Sequence, residues 1–316
     1  MRIAGRRLPV AALAAVLLLA GCGGSHNGLP VASGGSALTA TSGDLLYVAN
    51  RRASDGVSVL TFPQGKFVAK ITSVGLPQGI CSDAAGNVWI GAYDSSRRAS
   101  FFYEFAHGGT KPIETLQTRD YIEGCAVDPA TGDLAGFGSP RSAYGDIEIW
   151  PGARQGKPIV HKLGFEPTCG GFDDSSNFFV DGVLGSTFNF ILAELPNGGG
   201  KVRNIQLSKF ASFAPGSVQW DGKYMSIGVL GLREKAWQVY RFQVSGTTGK
   251  VVGVVHLRNL AVTPRYWIAG NEIVATQRAT TVRHLGLYDY PAGGQRIELY
   301  SSFYDPAGVT VSVPPT

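Results

Sequence analysis

The stretch GLPQGICSDAAGNVWIG, residues 75–91, decides the fold. It holds a tight turn, DAAGN, between two short runs, and Gly and Asn supply the positive φ that such turns need. It therefore reads as strand, turn, strand. Whether the unit is unique or repeated sets the architecture.

It is repeated. The element GNVWIGA at Gly86 recurs as GDLAGFG at Gly132, SNFFVDG at Ser176, GKYMSIG at Gly222 and GNEIVAT at Gly270, in steps of 46, 44, 46 and 48 residues. A further copy, GDLLYVAN at Gly43, lies 43 residues before Gly86. A second element keeps the same period: LTFPQGK from Leu60, YEFAHGG from Tyr103, EIWPGAR from Glu148, AELPNGG from Ala193, YRFQVSG from Tyr240 and YDYPAGG from Tyr288. Two unrelated markers in one period define a repeat.

Each unit reads as four strands, starting in the second unit at Gly79, Asn87, Phe101 and Lys111. A four-stranded antiparallel sheet this small cannot cover both of its own faces, whereas neighbours stacked around an axis cover each other. Six units predict an all-β chain folded as a six-bladed β-propeller over residues 44–316. The first unit starts with its second strand at Leu45 and lacks an inner strand, and YDPAGVTVSVPP from Tyr304 has the turn residues and alternation of the missing one. The C-terminus is expected to pair beside residues 44–50 and close the ring. Abundant Gly and Pro with few charges agree with short strands and tight turns.

The N-terminus carries a different message. Arg2, Arg6 and Arg7 precede an apolar run from Leu8 to Leu19 that ends in LAGC, residues 19–22. The run is shorter than the roughly 20 residues a spanning helix needs and reads as an export signal over residues 1–21. Its ending resembles the bacterial lipobox, which implies that Cys22 is lipidated and becomes the mature N-terminus. Residues 22–43, rich in Gly, Ser, Thr and Ala, then read as a flexible tether. Removing residues 1–21 removes three arginines, so 28 basic against 23 acidic residues becomes 25 against 23. Without a basic face interleaved with aromatics, nucleic acid is not an expected partner. The expectation is an exported, membrane-anchored monomer of the cell envelope, in the outer membrane where there are two, because Gly23 rather than Asp follows the cysteine.

The phrases LYVAN at Leu46, GLPQGICSDAAGNVWI at Gly75 and FAPGSVQWDGK at Phe213 resemble NHL and SMP-30-like propellers, over residues 44–313. Such propellers include lactonases, lyases, receptors and scaffolds, so the resemblance implies the fold far more narrowly than the activity. SMP-30-type hydrolases hold one divalent cation on the axis with carboxylate and amide oxygens. The repeat places Gln78, Glu123, Thr168, Gly216, Arg265 and Ala307 at the starts of the inner strands, with Glu166 able to reach the rim beside Thr168. Glu123 and Arg265 fall on opposite blades and are expected to face each other across the axis. A metal, if any, would use Glu123, with Gln78 as the amide. That falls short of the family's ligand set, so a divalent cation stays a possibility without a committed site.

Asp83, Asp128, Asp173 and Asp221 close the inner strands and are read as turn-fixing residues. Pro77, Gly79, Ile80, Asp83, Gly86, Asn87 and Trp89 share the wording of streptogramin lyases, but all seven are repeat-forming. The axial histidine such a lyase requires is missing: His107, His161, His256 and His284 map to outer strands or their turns, and His26 to the tether. Cys81, Cys125 and Cys169 read as buried apolar residues of adjacent inner strands, the alternative being a Cys125–Cys169 disulfide. No GxSxG, HExxH, EF-hand, GxxxxGK or GxGxxG motif is present.

The expectation is a non-catalytic binding module for a small ligand or an envelope protein. Tyr93, Arg97, Arg98, Tyr121, Arg141 and Tyr144 in the connections are its expected contacts. The alternatives are a metal-dependent SMP-30-like hydrolase and, least supported, a streptogramin-lyase-like enzyme.

Overall fold

The structure is a computed structural model. It describes residues 43–52, 54–139, 144–185, 189–208, 213–231, 236–260, 265–278, 283–301 and 303–314. The expected export signal and the expected tether apart from Gly43, with Cys22 and His26, lie outside these residues, as does Arg141.

Six sheets form the blades of a propeller. From the axis outward, blade two runs Leu76–Ser82, Val88–Asp94, Ala99–Phe105 and Glu114–Gln117, each strand antiparallel to the next. Blade three runs Gly124–Val127, Leu134–Gly138, Asp146–Trp150 and Ile159–Lys162. Blade four runs Glu166–Phe172, Phe178–Leu184, Asn189–Leu195 and Arg203–Asn204. Blade six runs Tyr266–Ala269, Glu272–Arg278, Arg283–Asp289 and Glu298–Tyr300.

Blade one closes the ring as the termini predict. Its innermost strand is Pro306–Ser312, paired antiparallel with Leu45–Asn50 so that Leu45 faces Ser312 and Tyr47 faces Thr310. All seven residues of that C-terminal strand are buried.

Blade five departs from the repeat. Its inner position is split between Phe213–Ala214 and Val218–Trp220, and its third and fourth strands, Ala236–Ser245 and Thr248–His256, are long. The chain leaving blade four also adds Gln206–Leu207 in parallel to the outer edge of blade five. The outermost strand of blade four is cut to two residues as a result.

Six apolar clusters form the core, one between each pair of neighbouring blades. Alternate side chains of one strand feed two clusters, as the two-residue period of a strand requires. Leu45, Tyr47 and Ala49 pack toward blade two, and Leu46 and Val48 toward blade six. That is why LLYVAN is buried at every position instead of alternating apolar and polar.

The four aspartates do fix turns. Asp83 accepts from the backbone N–H of Ala85 and Asn87, Asp173 from Ser175 and Asn177, Asp128 from Ala130, and Asp221 from Lys223 and Tyr224.

The cysteines require a correction. Cys81 and Cys125 form a disulfide between the inner strands of blades two and three, and Cys169 is a buried free thiol. The pair follows from close approach of those strands: a Cβ on Gly79 would stand 2.4 Å from Gly124 Cα, so two glycines in register let the backbones meet. Sequence spacing is 44 residues for both neighbouring pairs and could not choose between them.

Candidate functional site

The axis itself is nearly filled. A cavity of about 60 Å³ remains, bounded by Gln78, Cys125, Cys169, Arg265 and Ala307 among others, with room for a water or two. Gln78, Arg265 and Ala307 all line this cavity. Gly216 instead donates its backbone N–H to Asp181 at 2.9 Å.

Arg265 does not pair with Glu123 across the axis. Its guanidinium turns to blade four, donating to the Thr168 carbonyl at 2.8 Å and meeting the Cys169 sulfur at 2.6 Å. A guanidinium drawn inside needs an acceptor, and the Thr168 carbonyl supplies it; close by, Asp181 is wholly buried and accepts from the backbone N–H of Cys169 and Gly216, both at 2.9 Å. Burial pushes the Asp181 carboxyl well above the usual range, against the two N–H donors and Arg265. The Cys169 thiol is likewise pushed up by burial, and a thiol so held is a packing group rather than a nucleophile.

Glu123, Glu166 and Thr168 come together off the axis. With Tyr121, Ser139, Pro167 and Val183 they line an open pocket of about 450 Å³ at the rim between blades three and four. Glu166 therefore reaches the same rim as Thr168.

A second pocket, about 700 Å³, opens beside it between blades two and three. Tyr93, Arg98, Ser100, Arg119, Asp120 and Tyr121 contribute to its walls. Tyr121 lines both pockets. Of the expected loop contacts, Tyr93, Arg98 and Tyr121 are brought together here. Arg97 is drawn away, 3.4 Å from Asp94 and stacked over Phe101 at 5.0 Å, and Tyr144 is exposed outside both pockets. The Arg98 backbone has φ +54°, a conformation costly for a side-chain-bearing residue.

The segment shared by the pockets rests on Glu148, which sequence reasoning did not single out. Its carboxylate accepts from the backbone N–H of Arg119 at 3.1 Å and Asp120 at 3.3 Å. Burial pushes Glu148 up to about 7, with nearby Asp146 and Asp120 adding to the rise and the N–H donors opposing it. Lys162 sits 2.7 Å from Asp146 and supplies the local countercharge.

Asp120, Asp146 and Glu148 are the one group of three potential metal ligands close enough to share an ion among the described residues. They are already engaged with Lys162 and backbone amides, and neither Glu123 nor Gln78 belongs to the group.

Asp181 and Glu148 had a signal in the sequence. In the first repeat element Asp181 aligns with Val48, Gly91, Phe137, Ile227 and Ala275, and in the second Glu148 aligns with Leu60, Tyr103, Ala193, Tyr240 and Tyr288. Each is the one acid in an otherwise uncharged column.

No protein-family model and no curated protein sequence matches the chain. Solved structures do match in shape. The chain is similar to one in the crystal structure of a nidogen/laminin complex, with TM-score 0.64 and 13% identity over 87% of this chain and 100% of that one. It is also similar to TolB from Acinetobacter baumannii, with TM-score 0.61 and 15% identity over 87% and 67% of the two chains. Hydrazine synthase from Kuenenia stuttgartiensis gives TM-score 0.61 and 12% identity over 91% and 92%. At these identities the likeness carries the fold alone.

Proposed function

We propose that this propeller is a non-catalytic binding module of the NHL and SMP-30-like kind, exported and held in the bacterial envelope by a lipid on Cys22. One observation supports the reading: the pockets open on the face away from Gly43, where the expected tether would enter. The Gly43 carbonyl lies 3.1 Å from His107 Nε2, while Ser312 beside it donates to Gly86. Gly86 precedes the start of Val88–Asp94, and Tyr93 at the far end of that strand lines the larger pocket. Seven residues of strand separate the two faces by about 20 Å. An anchored molecule would then present Tyr93, Tyr121, Glu123 and Glu166 outward.

The axial hydrolase reading is less well supported. Glu123 lies at the rim, Gln78 in the small axial cavity, and Arg265 places a fixed positive charge where a cation would sit.

Position-specific photo-cross-linking in intact cells tests the proposal. A photoreactive residue at Tyr121 is expected to give a discrete adduct, one at Ala85 on the tether face none, and Cys22→Ser is expected to release the protein from the membrane fraction. Equal adducts from both faces, or an unchanged membrane fraction, would overturn it.

A further inference from the structure

The two pockets carry opposite charges. Arg98 and Arg119 line the larger one, and among the described residues neither has a carboxylate within ion-pair distance. The larger pocket's acid, Asp120, is packed against Asp146 and Glu148. Glu123 and Glu166 line the smaller pocket, and neither makes an ion pair among the described residues. Two arginines thus line one cavity and two glutamates its neighbour, each without an ion pair among the described residues.

Between them stand two rings. Tyr93 and Tyr121 have centroids 6.3 Å apart and are tilted by 48°, giving a wall against which a chain could lie in van der Waals contact. A polyanion would meet Glu123 and Glu166, and a polycation would meet Arg98 and Arg119. A chain with one charge of each sign at its two ends satisfies both pockets, each of which falls in the size range of small-ligand sites.

Resting on the binding-module reading above, we propose that the two pockets that share Tyr121 act as one groove for a short oligopeptide with free termini. Its carboxylate lies toward Arg98 and Arg119, its backbone crosses Tyr121, and its ammonium lies toward Glu123 and Glu166. A bidentate arginine–carboxylate contact at one end and a carboxylate–ammonium contact at the other set its direction.

Calorimetric titration of the purified full-length chain tests this with four probes: tetra-alanine, its N-acetyl form, its C-terminal amide and the doubly blocked peptide. Tetra-alanine is expected to bind, and blocking either end is expected to weaken it about tenfold, the scale of one charge-assisted contact. The double variant E123Q/E166Q should lose discrimination against the N-acetyl form and keep it against the amide. The variant R98Q/R119Q should do the reverse. Both pairs lie at the surface of open pockets, and an unchanged melting temperature would verify that each variant folds. Equal binding of all four peptides, no binding at millimolar concentration, or discrimination that survives both variants would overturn the proposal. If cross-links from Tyr121 persist in cells while tetra-alanine fails, the peptide assignment falls and the binding face stands. If both fail, the binding-module reading falls as well.

Discussion

The seam between blades one and two and the seam between blades four and five do the same job with different chemistry. At the first, the interior contacts are between uncharged groups, and the ionisable His107 sits at the part-buried margin, 2.7 Å from the Ser312 hydroxyl. The Ser82 hydroxyl lies 2.9 Å from both the Thr310 hydroxyl and the Val311 carbonyl, and Tyr47 accepts from the Gly108 N–H at 2.7 Å, above a large apolar cluster. At the second, a fully buried carboxylate, Asp181, ties blade four to blade five, with Arg265 bridging in from blade six. Neutral hydrogen bonds cost little to bury when they are satisfied, whereas an ionisable group inside makes a seam dependent on its partners and on pH. The closing seam is therefore built for permanence and the four–five seam for conditional stability.

The largest test breaks the first seam outright. Ending the chain at Asp305 removes the buried strand Pro306–Ser312, takes Val309 and Val311 out of the cluster between blades one and six, and deprives Ser82 of Thr310 and Val311. Apolar burial on that scale exceeds the marginal stability of a domain, so calorimetry is expected to find no cooperative transition. A cooperative melt near the full-length temperature would show that the ring does not depend on its closing strand.

Next in size is the covalent lock on the neighbouring seam. The Cys81–Cys125 bridge closes a 44-residue loop, for which chain entropy gives about 4 kcal/mol as a ceiling. Cys81→Ser is expected to lower the denaturation midpoint accordingly. Reducing agent should shift the wild-type protein to match and leave the variant unmoved.

Asp181→Ala probes the conditional seam. Two buried N–H donors, of Cys169 and Gly216, lose their acceptor, at about 1–3 kcal/mol each, so a loss of roughly 3 kcal/mol is expected by urea denaturation. Asp181→Asn keeps one acceptor oxygen and should recover part of that loss. If alanine costs no more than asparagine, the amides do not depend on the carboxylate.

The same contrast explains what the sequence made legible. Strand number, blade number and ring closure depend on apolar spacing and turn residues, which recur in every copy and survive as a pattern. Locks between blades occur once each. Cys81 pairs with Cys125 rather than Cys125 with Cys169 because of a glycine contact in three dimensions, and Arg265 turns from Glu123 to the Thr168 carbonyl of blade four. The positions where the repeat is violated by a buried acid held the missing information. A period search discards those positions as noise. The candidate face was half legible: Tyr93, Arg98, Tyr121, Glu123 and Glu166 were each singled out, but as two separate groups, because their junction at Tyr121 is set by how blades two and three abut.

The smallest effect concerns Glu148, the other acid that violates the repeat. Its folded value of about 7 stands above the ordinary 4.5, so the folded state holds this proton more tightly than the unfolded chain does. The resulting stability is fully present below pH 4.5 and is lost as pH rises through about 7. The shift sets a ceiling of about 3 kcal/mol, and relaxation around the charge is expected to leave about 2. Asp181 is raised in the same direction, so the informative quantity is the difference between wild type and Glu148→Gln, which retains an acceptor for the Arg119 and Asp120 amides but cannot titrate. Urea midpoints measured from pH 5 to pH 8 should fall more steeply for wild type than for the variant. Parallel curves would mean that the segment under both pockets rests on hydrogen bonding alone, and that pH sensitivity belongs to the four–five seam.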